Sequence, residues 1–289
     1  MASKYAFSRE RMKDFYEHPE KYYVKPFRIF ANLYFVGNKD VGSYLLDTEE
    51  GLILIDTTYP TSQAQMIEAI WEAGFSPENI QYIVHTHGHF DHIGTTAFLK
   101  SLSGAKTFLG EGDAKMFAER PELMLAEDAG PAHVEVFSPD VILQDGDEIR
   151  LGSTTIQVIA TPGHTMGVLT FLIPLEENGE KHLAGLCGGI GINTLCRDFQ
   201  ERYQVPEYRK YFVSSMQKIK NLPVDLVLGN HTGQNHTMEK RAAMGQNPDG
   251  TNPFVVPGEW KQMIEGAIEQ YETMLREETD GTDQEQTEL

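Results

Sequence analysis

Residues 85 to 94 read HTHGHFDHIG. Four of the chain's ten histidines, His85, His87, His89 and His92, fall within eight residues here, with Asp91 set among them. One histidine in such a stretch is an ordinary solvated loop residue. Four beside a carboxylate make the donor set of a metal site, because neutral imidazole is the commonest nitrogen ligand for zinc. The apolar run just before the cluster, QYIVHT, predicts a buried strand, so the cluster sits beyond a strand's carboxyl end. In open α/β arrangements binding loops gather there, held by the sheet while their side chains stay free.

Upstream of the cluster, FRIFA, NLYFVG, VGSYLLDT and GLILIDTT are separated by turn residues and predict a meander of short strands from Phe27 onward. After Asp56, SQAQMIEAIWEAG predicts a helix with Met66, Ile67, Ile70 and Trp71 on one stripe and Gly74 as its C-terminal cap. Downstream, IGTTAFLKSLSG predicts a helix ending at Gly104, AKTFLG a strand, and residues 113–126 a helix. VILQDGDEIRLGSTTIQVIATPG predicts antiparallel strands turning at Asp145-Gly146 and Gly152-Ser153, followed by strands in GVLTFLIPL and KHLAGLCGG. A helix from Pro206 to Lys220, a final strand in DLVLGNH and an amphipathic helix over 258–276 complete the pattern. Strands come in two batches, each followed by helix. The expected fold is therefore α/β, a four-layer αββα sandwich of two sheets packed face to face with helices outside. The expected organisation is an N-terminal extension over 1–26, a single domain over 27–277 and a disordered acidic tail over 278–289.

Composition narrows the partners. The formal charge is -19, from 43 acidic against 24 basic residues, and such a field repels phosphate backbones, so no nucleic-acid partner is expected. No apolar run reaches the roughly 18 residues of a membrane span, so no membrane partner is expected either. The N-terminus lacks the apolar core of a signal peptide, which places the chain in the cytoplasm as written, or in the periplasm or outside the cell if a leader has been removed. Two cysteines, Cys187 and Cys196, argue against a disulfide framework. The expected partner is a small-molecule substrate, and the oligomeric state is left open.

His87 and His89, two apart on an extended turn, can aim both rings at one ion at about 2.0 to 2.1 Å. Asp91 and His92 are adjacent and point in different directions, so they can begin a second site. His164 in TPGHTMG and His231 in LGNHTG each follow a strand-like run and stand near glycine, which permits the tight backbone of an exposed ligand loop. His18, His133, His182 and His236 lack that context and read as surface or structural residues, with His236 a further pocket-wall option.

The set His87-x-His89-x-Asp91-His92, then His164 in a TPGHT turn and His231 after a strand, resembles the metallo-β-lactamase fold superfamily over about residues 28–235. The resemblance implies a first metal held by His87, His89 and His164 and a second held by Asp91, His92 and His231, with two zinc ions per chain. Asp56 in LILIDTT resembles the family's strand-end aspartate that buttresses the metal loop. One departure is informative. Many members carry a metal-bridging aspartate on the strand after the His164 turn, and here that strand, HLAGLCGGIGIN, has no carboxylate. In this the chain is most similar to the third subclass of metallo-β-lactamases. Cys187 is an alternative ligand for the second metal, as a cysteine is in the first subclass.

Zinc lowers the pKa of bound water toward about 7, making hydroxide available at neutral pH. By the resemblance Asp91 would orient that hydroxide, and a cyclic amide of the β-lactam type would be opened. The alternative is a cytoplasmic dizinc hydrolase of lactones, esters or thioesters with at most incidental β-lactamase activity. Asn193, Thr194, Arg197, Asn230, Thr232, Gln234 and Tyr59 lie close in sequence to these positions and are either substrate contacts or turn and surface residues. A di-iron oxygen-reducing protein of this fold would want a glutamate where His89 stands, and a nuclease a bridging aspartate and a basic channel.

Overall fold

A computed structural model describes residues 4–5, 9–129, 133–246 and 250–287. Tight turns force antiparallel pairing at the start: β1 (Phe27–Phe30), β2 (Leu33–Phe35), β3 (Tyr44–Asp47) and β4 (Leu52–Ile55) run as a meander in chain order. From β4 onward pairing turns parallel through β5 (Ile80–Val84), β6 (Lys106–Gly110) and β7 (Val141–Leu143). Parallel neighbours need a crossover, and helices supply it. These are α2 (Gln63–Glu72) before β5, α3 (Phe90–Ile93) and α4 (Thr96–Ser103) before β6, and α5 (Glu111–Glu119) before β7.

The second sheet has the order β12-β11-β10-β9-β8. Its strands β8 (Glu148–Leu151), β9 (Thr154–Ala160), β10 (Leu169–Glu177) and β11 (Glu180–Cys187) are antiparallel, and β12 (Leu226–Gly229) joins β11 in parallel. Between β11 and β12 the chain makes α6 (Arg197–Tyr203) and α7 (Glu207–Ile219), and after β12 it makes α8 (Thr237–Ala243) and α9 (Glu259–Thr287). Both sheets are mixed, with helices on their outer faces, as the two batches of strands predict.

Side-chain alternation distributes the core over three layers. In β4 every residue is buried: Ile53 and Ile55 face the inter-sheet core with Phe171, Leu186 and Leu228, while Leu52 and Leu54 face outward under Met66, Ile70 and Leu99 of α2 and α4. Leu54, fully buried, illustrates the cost of a gap there, since a large-to-small change at such a site costs about 2 to 5 kcal/mol. Phe212, Met216, Trp260 and Ile264 from α7 and α9 cover the other sheet.

Three local expectations change. Trp71 is 63% exposed, because it lies about 100° round α2 from Ile70 and the buried stripe is Met66, Ala69 and Ile70. The helix expected over 113–126 stops at Glu119, since Pro121 cannot extend it, and the chain continues in 3-10 turns over Pro121–Met124 and Ala126–Ala129. The closing helix runs on to Thr287. Glu278 within it accepts hydrogen bonds from the Arg197 amide at 2.6 Å and the Arg209 guanidinium at 2.7 Å. These anchors hold an acidic segment that composition alone reads as disordered. Residues 288–289 of that segment, and residues 1–3 and 6–8 of the expected N-terminal extension, lie outside the described residues. The helix α1 (Arg9–Glu17) places Phe15 in the core, 1% exposed.

Candidate metal centre

Four strand ends meet at one rim of the sandwich: the loop after β5 with His87, His89, Asp91 and His92, the β9–β10 turn with His164, the glycine run after β11, and the loop after β12 with His231. An isolated bridge between Val41 and His231 fixes the last of these against the chain leading into β3. The structure brings the six sequence-predicted positions together. One ligand atom each from His87, His89 and His164 lie within 4.8 Å of one another, as do atoms of His87, Asp91 and His92. Oδ2 of Asp91 lies 3.6 Å from Nε2 of His92 and 3.4 Å from Nε2 of His231, and the rings of His92 and His231 stand edge to face at 5.2 Å.

Outer partners fix which nitrogen faces inward. Carboxylate and carbonyl oxygens only accept, so Nδ1 of His92 donates to Asp56 at 2.8 Å and Nδ1 of His164 donates to the Gly191 carbonyl at 2.8 Å. Each ring therefore keeps a lone pair on Nε2. The Thr86 hydroxyl donates to Asp56 at 2.7 Å and stands 3.2 Å from Nδ1 of His87, so it can accept from that ring and turn a third lone pair inward. Nε2 of His87 and Nδ1 of His89 are 3.1 Å apart, close to the roughly 3.3 Å that two ligands at tetrahedral angles on one zinc would show.

Electrostatics agree with the geometry. Burial, then the neighbouring imidazoles, holds the His87 and His89 rings well below the usual histidine range, and burial brings His164 down to about 4. Neutral imidazole is the form that ligates metal. Nε2 of His92, which carries that ring's lone pair, is buried without a hydrogen-bond partner, an arrangement that is costly in a closed protein and is relieved by a cation. The donor set, imidazoles with one carboxylate, fits zinc.

His85 belongs elsewhere. Its Nδ1 meets the Phe108 carbonyl at 2.9 Å and its Nε2 the Thr96 hydroxyl at 2.8 Å, so it ties β5 to β6 and α4. Cys187 is 1% exposed, burial pushes its thiol up to about 11, and it joins neither group of converging atoms. Asp56, just after β4, braces the histidine loop as the resemblance implies: besides bonding His92 and the Thr86 hydroxyl it accepts from the Thr86 amide at 2.8 Å.

The rings of His89, His164 and His231 floor a cleft of about 600 Å³ whose walls include Tyr59, Phe90, Ile192, Asn193, Asn230 and Gln234, the size of a small-molecule site. Of the other sequence candidates, Thr194 donates to the His164 carbonyl at 2.8 Å, Thr232 to the Lys39 carbonyl at 2.5 Å, and Arg197 to the Glu278 carbonyl at 2.6 Å. They hold loops in place. His236 is absent from the cleft wall among the described residues and precedes α8.

Sequence reasoning missed two carboxylates. Asp113 is fully buried, burial raises its carboxyl to about 6, and it bonds to both ligand-bearing loops, with Gly88 at 2.7 Å and Thr165 at 2.8 Å. Asp40 accepts from the Tyr59 hydroxyl at 2.6 Å and stands 3.7 Å from Nδ1 of His231. Neither stands in a motif; only partners distant along the chain reveal them.

Residues 37–177 match the family model described as the Metallo-beta-lactamase superfamily. An N-acyl homoserine lactonase of a Bacillus species is 28% identical over 165 residues, covering 48% of this chain and 60% of the lactonase. A hydroxyacylglutathione hydrolase of Pseudomonas putida is 31% identical over 130 residues, covering 43% of this chain and 42% of the hydrolase. The chain spans between 42% and 66% of the length of the first of the curated relatives it matches. Among solved structures, the class B3 di-zinc metallo-beta-lactamase LRA-12 from an Alaskan soil metagenome superposes with a TM-score of 0.77 and 28% identity, covering 88% of this chain and 96% of that one.

Proposed function

The chain carries a metallo-β-lactamase superfamily domain, and from that premise we propose that it is a metal-dependent hydrolase that opens a cyclic amide of the β-lactam type at a pair of zinc ions. His87, His89 and His164 would hold the first ion, and Asp91, His92 and His231 the second. The observation that carries this reading is the second set: His92 turns its lone pair toward Asp91 and His231 while the end of β11 at Cys187 and the glycines after it bring no carboxylate.

Zinc bound there supplies a Lewis acid and acidifies its water toward a pKa of about 7. The chain's own groups do the rest. Asp91 turns a carboxylate oxygen toward the space between the rings, where it can accept a proton from an attacking water and orient it. Asn230, 2% exposed, keeps its side-chain oxygen without a hydrogen-bond partner on the cleft wall while its amide nitrogen donates to the Gly188 carbonyl at 2.6 Å. Phe90 and Ile192 give the cleft apolar walls that displace bulk water from the reacting carbonyl.

A second reading, hydrolysis of a lactone or thioester, is favoured by the lactonase and hydroxyacylglutathione hydrolase relatives. The deciding experiment is a turnover panel of a chromogenic cephalosporin, a carbapenem, an acyl homoserine lactone and a glutathione thioester, with and without chelator. Chelator-sensitive cephalosporin or carbapenem turnover supports the first reading; lactone or thioester turnover alone replaces it with the second. Metal analysis is expected to find close to two zinc ions per chain, and a metal-free protein with full activity refutes both readings.

A further inference from the structure

We propose that Asp113 is a positioning residue that sets the distance between the two loops feeding the first metal, the His87–His89 turn and the His164 turn. The inference rests on the metal centre proposed above. Asp113 stands in the first turn of α5, and its carboxylate touches neither a ring nor the cleft. Its Oδ2 accepts from the Gly88 amide at 2.7 Å and the Thr165 hydroxyl at 2.8 Å, and its Oδ1 accepts from the Gly167 amide at 2.9 Å. Gly88 lies between His87 and His89, and Thr165 and Gly167 follow His164. One side chain from a third element thus joins a backbone amide 25 residues before it to a hydroxyl 52 residues and a backbone amide 54 residues after it.

The packing leaves little room for other arrangements. A Cβ on Gly167 would sit 2.3 Å from the Asp113 amide nitrogen, and one on Gly112 would sit 2.3 Å from the Met166 carbonyl carbon. The first turn of α5 and the His164 turn therefore meet backbone to backbone, which only glycine allows. On the other side a Cβ on Gly88 would lie 2.7 Å from the Phe117 ring and 3.2 Å from Cβ of Asp113. Fully buried and accepting from all three donors, the carboxylate ties both loops to one helix end. Ligands preset at the right spacing bind metal more tightly than ligands that must be gathered.

The test compares Asp113→Asn and Thr165→Val with wild type. Asparagine keeps one acceptor for Gly167 but turns a second donor toward the Gly88 amide, leaving that amide unpaired; valine deletes one of the three donors. Affinity for Co²⁺ is measured by competition with a chromophoric chelator, together with the visible spectrum of the bound ion and the melting temperature of the metal-free protein. A distant core variant, Ile264→Val, controls for loss of stability as such. The expected result is a 10- to 100-fold weaker first-ion affinity for Asp113→Asn, a smaller loss for Thr165→Val, and an altered Co²⁺ spectrum, with Ile264→Val binding as wild type does. Wild-type affinity and spectrum in either site variant, whichever of them folds, overturns the proposal. Failure of wild type and His87→Ala to differ in Co²⁺ binding would instead overturn the metal centre itself.

Discussion

Nδ1 of His92 lies 2.8 Å from Oδ2 of Asp56, and that one hydrogen bond leaves the ring's lone pair on Nε2, the nitrogen turned toward Asp91. Asp56 is 1% exposed and sits at φ 56°, a left-handed conformation that asparagine tolerates. Asp56→Asn is thus nearly isosteric, yet its amide nitrogen would meet a ring N–H. His92 would have to move its proton to Nε2, and the inward lone pair would vanish. Metal content is expected to fall from two ions toward one, with second-ion affinity down about 10- to 100-fold. Chelator competition followed by metal analysis reads this directly; two fully retained ions would show that the buttress does not set the tautomer.

Asp91 differs in kind because its carboxylate stands between His92 and His231 and lines the cleft. Asp91→Ala is expected to lower kcat/KM by at least about 100-fold on whichever substrate is turned over. The metal-free protein should lose less than about 1 kcal/mol, since the side chain is 14% exposed and bridges no core elements. Denaturant melts of the metal-free form beside steady-state rates separate the two effects, and a drop in rate matched by unfolding would count against a chemical role.

Much of this site is legible in the sequence because metal ligation is locally encoded. The HTHGHFDH run packs four of the six proposed ligands into six positions, and the strands before His164 and His231 are apolar runs that declare themselves. What escaped is long-range. Asp113 is an ordinary acidic residue in a helix first turn, where the helix dipole alone accounts for it, and its role appears only when β6 delivers α5 against both loops. Residue type alone puts Trp71 on the buried stripe, while the step of about 100° per residue turns it to solvent. The extent of α9 was hidden for a related reason, since acidic composition says nothing about the arginines waiting on α6 and α7.

Far from the cleft, His182 is held by two carboxylates, Asp225 at 2.7 Å on Nδ1 and Glu180 at 2.9 Å on Nε2. Burial lowers its pKa, the two carboxylates outweigh that, and the net shift is upward. A histidine raised in the folded state stabilises fully below its unfolded value, about 6.5, and loses that contribution as pH rises through the folded value. With Glu180 67% and Asp225 34% exposed, solvent screening limits the effect to about 1 kcal/mol. Urea melts of wild type and His182→Gln should differ most near about pH 5.5 and converge at alkaline pH. A gap that widens with pH would contradict this sign.

The N-terminal helix can be tested through Phe15. Its ring lies 4.1 Å from Tyr59 and 4.5 Å from Tyr22, centroid to centroid, and Tyr59 both lines the cleft and donates to Asp40. Removing the ring opens a cavity under α1, and a buried phenylalanine-to-alanine change costs about 3 to 5 kcal/mol where the surroundings cannot collapse. A helix near a chain end can instead detach, which would cap the loss at the stability of its own docking. Phe15→Ala is therefore expected to lower stability by roughly 2 to 4 kcal/mol and to raise KM more than it lowers kcat, because the ring supports a cleft wall and touches none of the converging ligands. Amide exchange over α1 and steady-state kinetics check the two halves separately. Unchanged exchange together with an intact KM would mean that the helix is only draped over Tyr59.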